Sequence, residues 1–337
     1  MTNHKWIAVG LVGVAMLAGC SSSTSGSADH SSSAHLAGPP GSLSGALAHV
    51  AADDNTRAWV EYGQPKAILA ANGGSSVTGT YGGISGYGFS DLATYAKLLP
   101  PLTGFDATTA DEALTAGQPP AHAGWLTGGV DATKVEQALT KLGAKKNGAM
   151  LRLGADNELN LDSPLSKALQ GPMAMLNVVS TSGSSLRYGT GGAAVDLVGE
   201  PKGATLDTDA TVKAVAACLG DPLAAVLTDQ PSGTSGPHQE LGLGVTGTSS
   251  GDAIEELCIA TGSADDAAAM KTKLQDGLES GKSQRSNEPW SQQLTGVSVE
   301  IRDGNVVRAT AHSVAGRPAG TLLRALQTKD LGSLIGT

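Results

Sequence analysis

Aromatic residues are scarce in this chain of 337 residues: two Phe, four Trp and five Tyr make up 3% of it. Charged residues are also few, at 16%, and the 22 basic residues are outnumbered by 31 acidic ones, leaving a formal charge of −9. A chain that lacks a basic surplus lacks the footprint a phosphate backbone demands, so nucleic acid is excluded as an expected partner. Cysteine is limited to three residues. That is too few for a disulfide scaffold, and no Cys-x-x-Cys or clustered Cys/His spacing supports a zinc site. Neither a Gly-X-Y period nor a sustained heptad is present, which removes collagen and coiled coil. What the chain does have is 40% apolar residues and 46 glycines. This composition suits a globular body with a loop-rich surface, and the length allows two domains.

At the N-terminus Lys5 provides a positive charge and Trp6 to Leu17 an apolar run. The run is too short to cross a hydrocarbon core of about 30 Å as a permanent helix and matches the h-region of a signal peptide. It ends in Leu17-Ala18-Gly19-Cys20, which resembles the lipobox of bacterial lipoproteins. The resemblance implies cleavage before Cys20, a diacylglyceryl group and further acyl chains such as palmitate on that residue. It also implies a membrane anchor on the extracytoplasmic face of the cell membrane. Residues 1–19 then read as signal peptide. Residues 20–42, rich in Ser, Gly and Pro and carrying His30 and His35, read as a flexible tether. With Cys20 lipidated, Cys218 and Cys258 remain as one possible pair in an oxidising compartment. Two separate buried thiols are the alternative.

Three amphipathic helices stand out in the body. Val135, Ala138, Leu139 and Leu142 follow the i, i+3, i+4, i+7 spacing behind Asp131 and before Gly143. Val212, Val215, Ala216 and Leu219 repeat it behind Asp207-Thr208-Asp209. A third helix runs from Ser263 to Leu278, with Ser263 and Asp266 as a capping-box-like pair. Weaker helical patterns cover Leu43–Ala51, Ser90–Leu99 and Pro318–Gln327. Strands are expected at Ala58–Tyr62, Gly124–Thr127, Met150–Leu153, Leu241–Val245 and Leu257–Thr261. Hairpins are expected for Met173–Ser180 with Ser184–Thr190 and for Val297–Ile301 with Val306–Ala311, the second with Asp303-Gly304 as a two-residue turn. Helices and antiparallel hairpins mix without a βαβ rhythm, so the fold class is α+β. An internal echo, Trp125-Leu-Thr-Gly-Gly129 against Cys258-Ile-Ala-Thr-Gly262, points to two similar lobes over 43–205 and 206–337.

Motifs that carry chemistry fail in their contexts. Gly247-Thr248-Ser249-Ser250-Gly251 fits the G-x-S-x-G nucleophile elbow, and His312 follows it, so Ser249 and His312 are the residues of a possible serine hydrolase. Chance alone yields about 0.6 such matches in so glycine-rich a chain. The elbow also needs a helix after it, where Asp252–Thr261 reads as strand. Gly242-Leu-Gly-Val-Thr-Gly247 has dinucleotide-motif spacing, but its apolar residues alternate with glycine like one strand face. Asp156, Glu158, Asn160 and Asp162 begin like a calcium loop, yet Leu161 and Lys167 stand where Gly and Glu are required. His238-Gln239-Glu240 lacks the downstream cysteines of a zinc deaminase. No metal site or cofactor is therefore expected.

The most unusual stretch is Asn72 to Phe89, in which seven glycines are interleaved with Tyr81, Tyr87 and Phe89. Gly-rich loops that carry aromatics serve recognition when the rings are exposed, and these three are the candidate contact residues. The alternative is a loop whose rings pin it to the body. The overall expectation is a non-catalytic binding module of the cell envelope. Its partners are the membrane, through the lipid on Cys20, and an envelope protein or small ligand. An extracytoplasmic hydrolase is the competing reading.

Overall fold

The computed structural model describes residues 41–75, 78–230, 238–249 and 252–335. The signal segment, Cys20 and the tether with His30 and His35 lie outside the described residues, as do Ser250 and Gly251. Among the described residues, twelve strands form one antiparallel sheet. They are β1 (Val60–Gly63), β2 (Glu112–Ala116), β3 (Ala123–Thr127), β4 (Lys145–Asn147), β5 (Met150–Arg152), β6 (Val178–Ser182), β7 (Ser185–Gly189), β8 (Ala224–Thr228), β9 (His238–Thr246), β10 (Ile254–Thr261), β11 (Leu294–Arg302) and β12 (Val306–Ser313). Their order across the sheet is β11-β12-β10-β9-β8-β1-β2-β3-β7-β6-β5-β4. The α+β class therefore holds, and the strands of both expected lobes belong to a single sheet.

The order contains a repeat. From the centre outward, β1-β2-β3-β7-β6 is matched by β8-β9-β10-β12-β11. The register matches as well. Trp125 lies between Leu114 and Arg187, as Cys258 lies between Gly242 and Arg308. Arg187 in turn faces and bonds Ser180, while Arg308 faces and pairs with Glu300. The halves join where β1 pairs with β8, symmetrically about Glu61 opposite Val226.

Local signals set the longer helices. The helices in chain order are α1 (Leu43–Leu47), α2 (Asp54–Ala58), α3 (Pro65–Ala71), α4 (Ser90–Ala93), α5 (Leu99–Thr103), α6 (Ala132–Lys141), α7 (Pro164–Leu169), α8 (Gly192–Val195), α9 (Ala210–Leu219), α10 (Ala264–Ser280), α11 (Thr321–Gln327) and α12 (Gly332–Ile335). Asp131, Asp209 and Ser263 cap α6, α9 and α10 by accepting from backbone N–H groups of the first turn, the capping expected from sequence. The weak pattern over Ser90–Leu99 resolves into the short α4 followed by turns. Pro100 and Pro101 then fall in the first turns of α5, where their missing N–H groups cost little.

One sheet face is covered by α1, α8 and α9, which bury Val60, Tyr62, Leu114, Trp125 and Leu227. The opposite face carries two cores. One lies under α10, α11 and α12 around Leu257, Ile259 and Trp290, and the other under α4 to α7 around Leu126, Leu186 and Tyr188. On the first face Cys218 of α9 is bonded to Cys258 of β10, with Cα atoms 6.1 Å apart. The helix lies close to the sheet there because Gly242 and Gly244 present no side chain. A Cβ on Gly242 would fall among the Val215 and Leu219 side chains. Gly242 and Gly244 of that motif-like run thus serve helix–sheet packing, while Gly247 leaves room for Tyr81 and Asp252.

Two other expectations change. The turn of the last hairpin spans three residues between Arg302 and Val306, with Asp303 and Gly304 both at positive φ, instead of two. β2 and β8, which flank β1 at the centre of the sheet, were absent from the sequence reading. Both are buried at every position, so they show none of the polar alternation that marks a half-exposed strand.

Candidate functional site

The Gly-rich segment crosses the sheet over β1 and β2. Gly88, at φ +82°, lies with its Cα against the backbone of Gly63 and Ala113, and a Cβ on Gly63 would strike the Tyr87 carbonyl. Only two residues without side chains allow main chain to pack on main chain this closely. The close approach brings the segment's amides to Glu61, which points from β1 into the junction of the two cores. The Glu61 carboxylate accepts from Gly88 N at 2.7 Å, Ser90 N at 3.3 Å and Ser90 Oγ at 3.1 Å. Burial nevertheless pushes its pKa up from 4.5 to about 7, against the lowering effect of these bonds.

At its other end the segment is latched to the turn between β9 and β10. Tyr81 Oη donates to the Ser249 carbonyl at 2.7 Å and to Asp252 Oδ1 at 3.0 Å. Asp252 also accepts from Ser249 N and from Thr248 N and Oγ1, and these bonds, led by the one from Ser249, hold its carboxyl well below the usual range. The rings of Tyr81, Tyr87 and Phe89 are accordingly in the core, at 0%, 6% and 1% exposure. This corrects their assignment as contact residues: a ring already buried by its own protein offers no surface to a partner.

Ser249 and His312 bond to separate partners. Ser249 is exposed in a turn that leads from strand to strand, so its main-chain groups serve Asp252 and Tyr81. His312, on β12, places Nδ1 3.1 Å from the Ala253 carbonyl, and among the described residues no hydrogen bond joins it to Ser249. A nucleophile and its base need that bond or a near approach to it. The calcium-like run is also occupied internally. Asp156 accepts from Arg152 Nη1 and Gly192 N, Glu158 from Ala155 N, and Asn160 from Asp162 N. Among the described residues no group of three His, Cys, Asp or Glu side chains is placed to hold a metal ion.

What the segment does build is a cleft of about 590 Å³ between itself and α4–α5. Phe89 closes its floor, and Ala93, Ala96 and Pro100 form an apolar wall. Thr94, Lys97, Asp106 and Thr108 supply polar groups at the mouth. Asp106 is fixed by bonds from Thr108 N at 2.9 Å and Thr108 Oγ1 at 2.7 Å. Lys97 is exposed and has no carboxylate partner among the described residues. Nearby, Asp91 of α4 lies 3.4 Å from His122 Nε2, and burial lowers the His122 pKa although Asp91 opposes the shift. Sequence reasoning missed these cleft residues, because the cleft exists only where the α4 turn and the Pro-interrupted α5 fail to form one continuous helix. The doublet Pro100-Pro101 is the one local signal of that break.

Comparison with protein-family models, with curated proteins and with solved structures gives no match for this chain.

Proposed function

We propose that the chain is a lipid-anchored protein of the extracytoplasmic membrane face whose body binds a small ligand without catalysis. The anchor reading rests on Leu17-Ala18-Gly19-Cys20 behind its apolar run. The bridge between Cys218 and Cys258 accords with an exported chain in an oxidising compartment. The observation that carries the binding reading is the cleft beside the Gly-rich segment: an apolar floor and wall with a few polar groups at the mouth, within the usual range of ligand-site volumes. Its chemistry suits a molecule with an apolar body and an anionic end, the body against Ala93, Ala96 and Pro100 and the end beside Lys97. The hydrolase alternative has no assembled nucleophile in its support.

One set of full-length variants tests both halves. Cys20→Ala should lose fatty-acid labelling and membrane retention, and unchanged labelling would refute the anchor. Ala96→Trp should fill the cleft and abolish saturable binding of an anilinonaphthalene sulfonate dye while leaving the melting temperature within about 3 °C of wild type. Dye binding equal to wild type in Ala96→Trp would refute the cleft as the site.

A further inference from the structure

A second cleft, of about 340 Å³, lies between α11 and the loop that joins α10 to β11. Its lining is rich in donors. Arg285 and Arg324 both face it, with the hydroxyls of Ser286 and Thr328 and the amide of Gln293, and Trp290 forms one wall. Nine other basic side chains of this acidic protein are paired with carboxylates, among them Arg57, Arg152, Arg302, Arg308 and Arg317. Arg285 and Arg324 have no carboxylate partner among the described residues. Arg324 is held only by neutral groups, donating to the Ala319 carbonyl at 3.1 Å, to the Pro318 carbonyl at 3.4 Å and to Thr321 Oγ1 at 3.0 Å. That bracing orients the guanidinium and leaves N–H groups over. Gln293 Nε2 is buried with no hydrogen-bond partner, a donor whose desolvation is not offset within the protein.

Asp330 is the carboxylate in the lining, and its two oxygens are already taken. Oδ2 accepts from Ser283 Oγ at 2.5 Å, and Oδ1 from Gln284 N at 2.6 Å and Arg285 N at 3.3 Å. These bonds tie the loop that carries Arg285 to Asp330 and occupy both carboxylate oxygens with donors from the protein itself. Two guanidinium groups without carboxylate partners, an orphaned amide donor and the Ser286 hydroxyl form a set suited to an oxyanion, since the planar forks of arginine match the oxygens of a phosphoryl group. The Thr328 hydroxyl already donates to the Arg324 carbonyl.

We propose that this cleft binds a phosphate ester, with Arg285 and Arg324 gripping the phosphoryl oxygens and Gln293 donating from the interior. A soluble phosphorylated molecule and the headgroup of a phospholipid share this chemistry. The test uses the full chain carrying Cys20→Ala, so that vesicle binding is independent of a lipid anchor. Titration calorimetry with glycerol phosphate and with inorganic phosphate covers the soluble source. Co-sedimentation with phosphatidylcholine vesicles, with and without phosphatidylglycerol, covers the headgroup. Glycerol phosphate binding identifies a soluble ligand, and binding only to phosphatidylglycerol vesicles identifies a headgroup. Either must weaken at least tenfold in Arg285→Glu, whose exposed side chain can be changed with melting unaltered. Arg324→Lys keeps the charge but loses the fork, and should also weaken binding. Absence of binding to phosphate, glycerol phosphate and vesicles, or binding by Arg285→Glu equal to the parent, overturns the proposal.

Discussion

Replacing Gly88 by Ala perturbs the contact on which the Gly-rich segment depends. Two costs combine at this position. The backbone is at φ +82°, where a residue with a Cβ costs about 1–2 kcal/mol. The new Cβ would also fall 2.7 Å from the Ala113 carbonyl carbon and 2.8 Å from Gly63 N, against an ordinary separation of about 3.5–4.0 Å. Both neighbours are backbone atoms of central strands and cannot swing aside, so the segment must lift by about 1 Å. That movement breaks the 2.7 Å bond from Gly88 N to Glu61 and leaves a buried carboxyl short of a donor, worth about 1.5–3 kcal/mol. The sum is about 3–5 kcal/mol, a lowering of the melting temperature by roughly 10 °C. Gly74→Ala is the control. Gly74 has a similar φ of +87°, but nothing lies within 4 Å of its added Cβ. Only the conformational cost remains, and melting should fall by about 2–6 °C. Thermal unfolding followed by circular dichroism reads both variants. If Gly88→Ala melts within about 3 °C of Gly74→Ala, the close packing and the Glu61 bond do not carry the stability assigned to them.

The bridge between Cys218 and Cys258 closes a separation of 40 residues, so the Cys218→Ser/Cys258→Ser double variant should lose about 4 kcal/mol in urea unfolding. Mass measurement after alkylation of the unreduced, denatured protein should show neither cysteine modified; two added groups would disprove the bond. Glu61 predicts a pH dependence. Its pKa is raised from 4.5 to about 7 in the folded protein, so folding binds an extra proton between those values. Its contribution is fully present below about pH 4.5, declines as pH rises through 7 and is constant above. The urea midpoint of wild type should therefore fall between pH 5 and 8 more than that of Glu61→Gln, and equal slopes would remove Glu61 as the cause.

Helices α6, α9 and α10 were legible because everything that specifies them is local: an Asp or Ser cap, apolar residues at helical spacing and a glycine at or just beyond the end. The α+β class and the existence of both hairpins followed from short alternating runs in the same way, but not their registers or turn lengths. The internal echo between the stretches at Trp125 and Cys258 also points to equivalent positions, since both lie at the same register in their halves of the sheet. The candidate sites were far less legible. The aromatics of the Gly-rich stretch stood out because the chain has so few, but rarity does not say whether a ring faces solvent or core.

From its sequence alone this protein has a lipobox-like N-terminus, two cysteines left to pair, and the caps and periodicity of its long helices, all matters of neighbours in the chain. Tertiary structure decided that β1 pairs with β8 to join the halves into one sheet, and that β2 and β8 flank β1 there, because a strand buried on both faces has no polar pattern to announce it. It decided that Gly63 and Gly88, 25 positions apart, meet so that Glu61 can be capped. It also placed Arg285 and Arg324 in a common cleft with no ion-pair partner for either among the described residues. Contacts between residues distant in sequence depend on how the layers stack, and no local propensity encodes that.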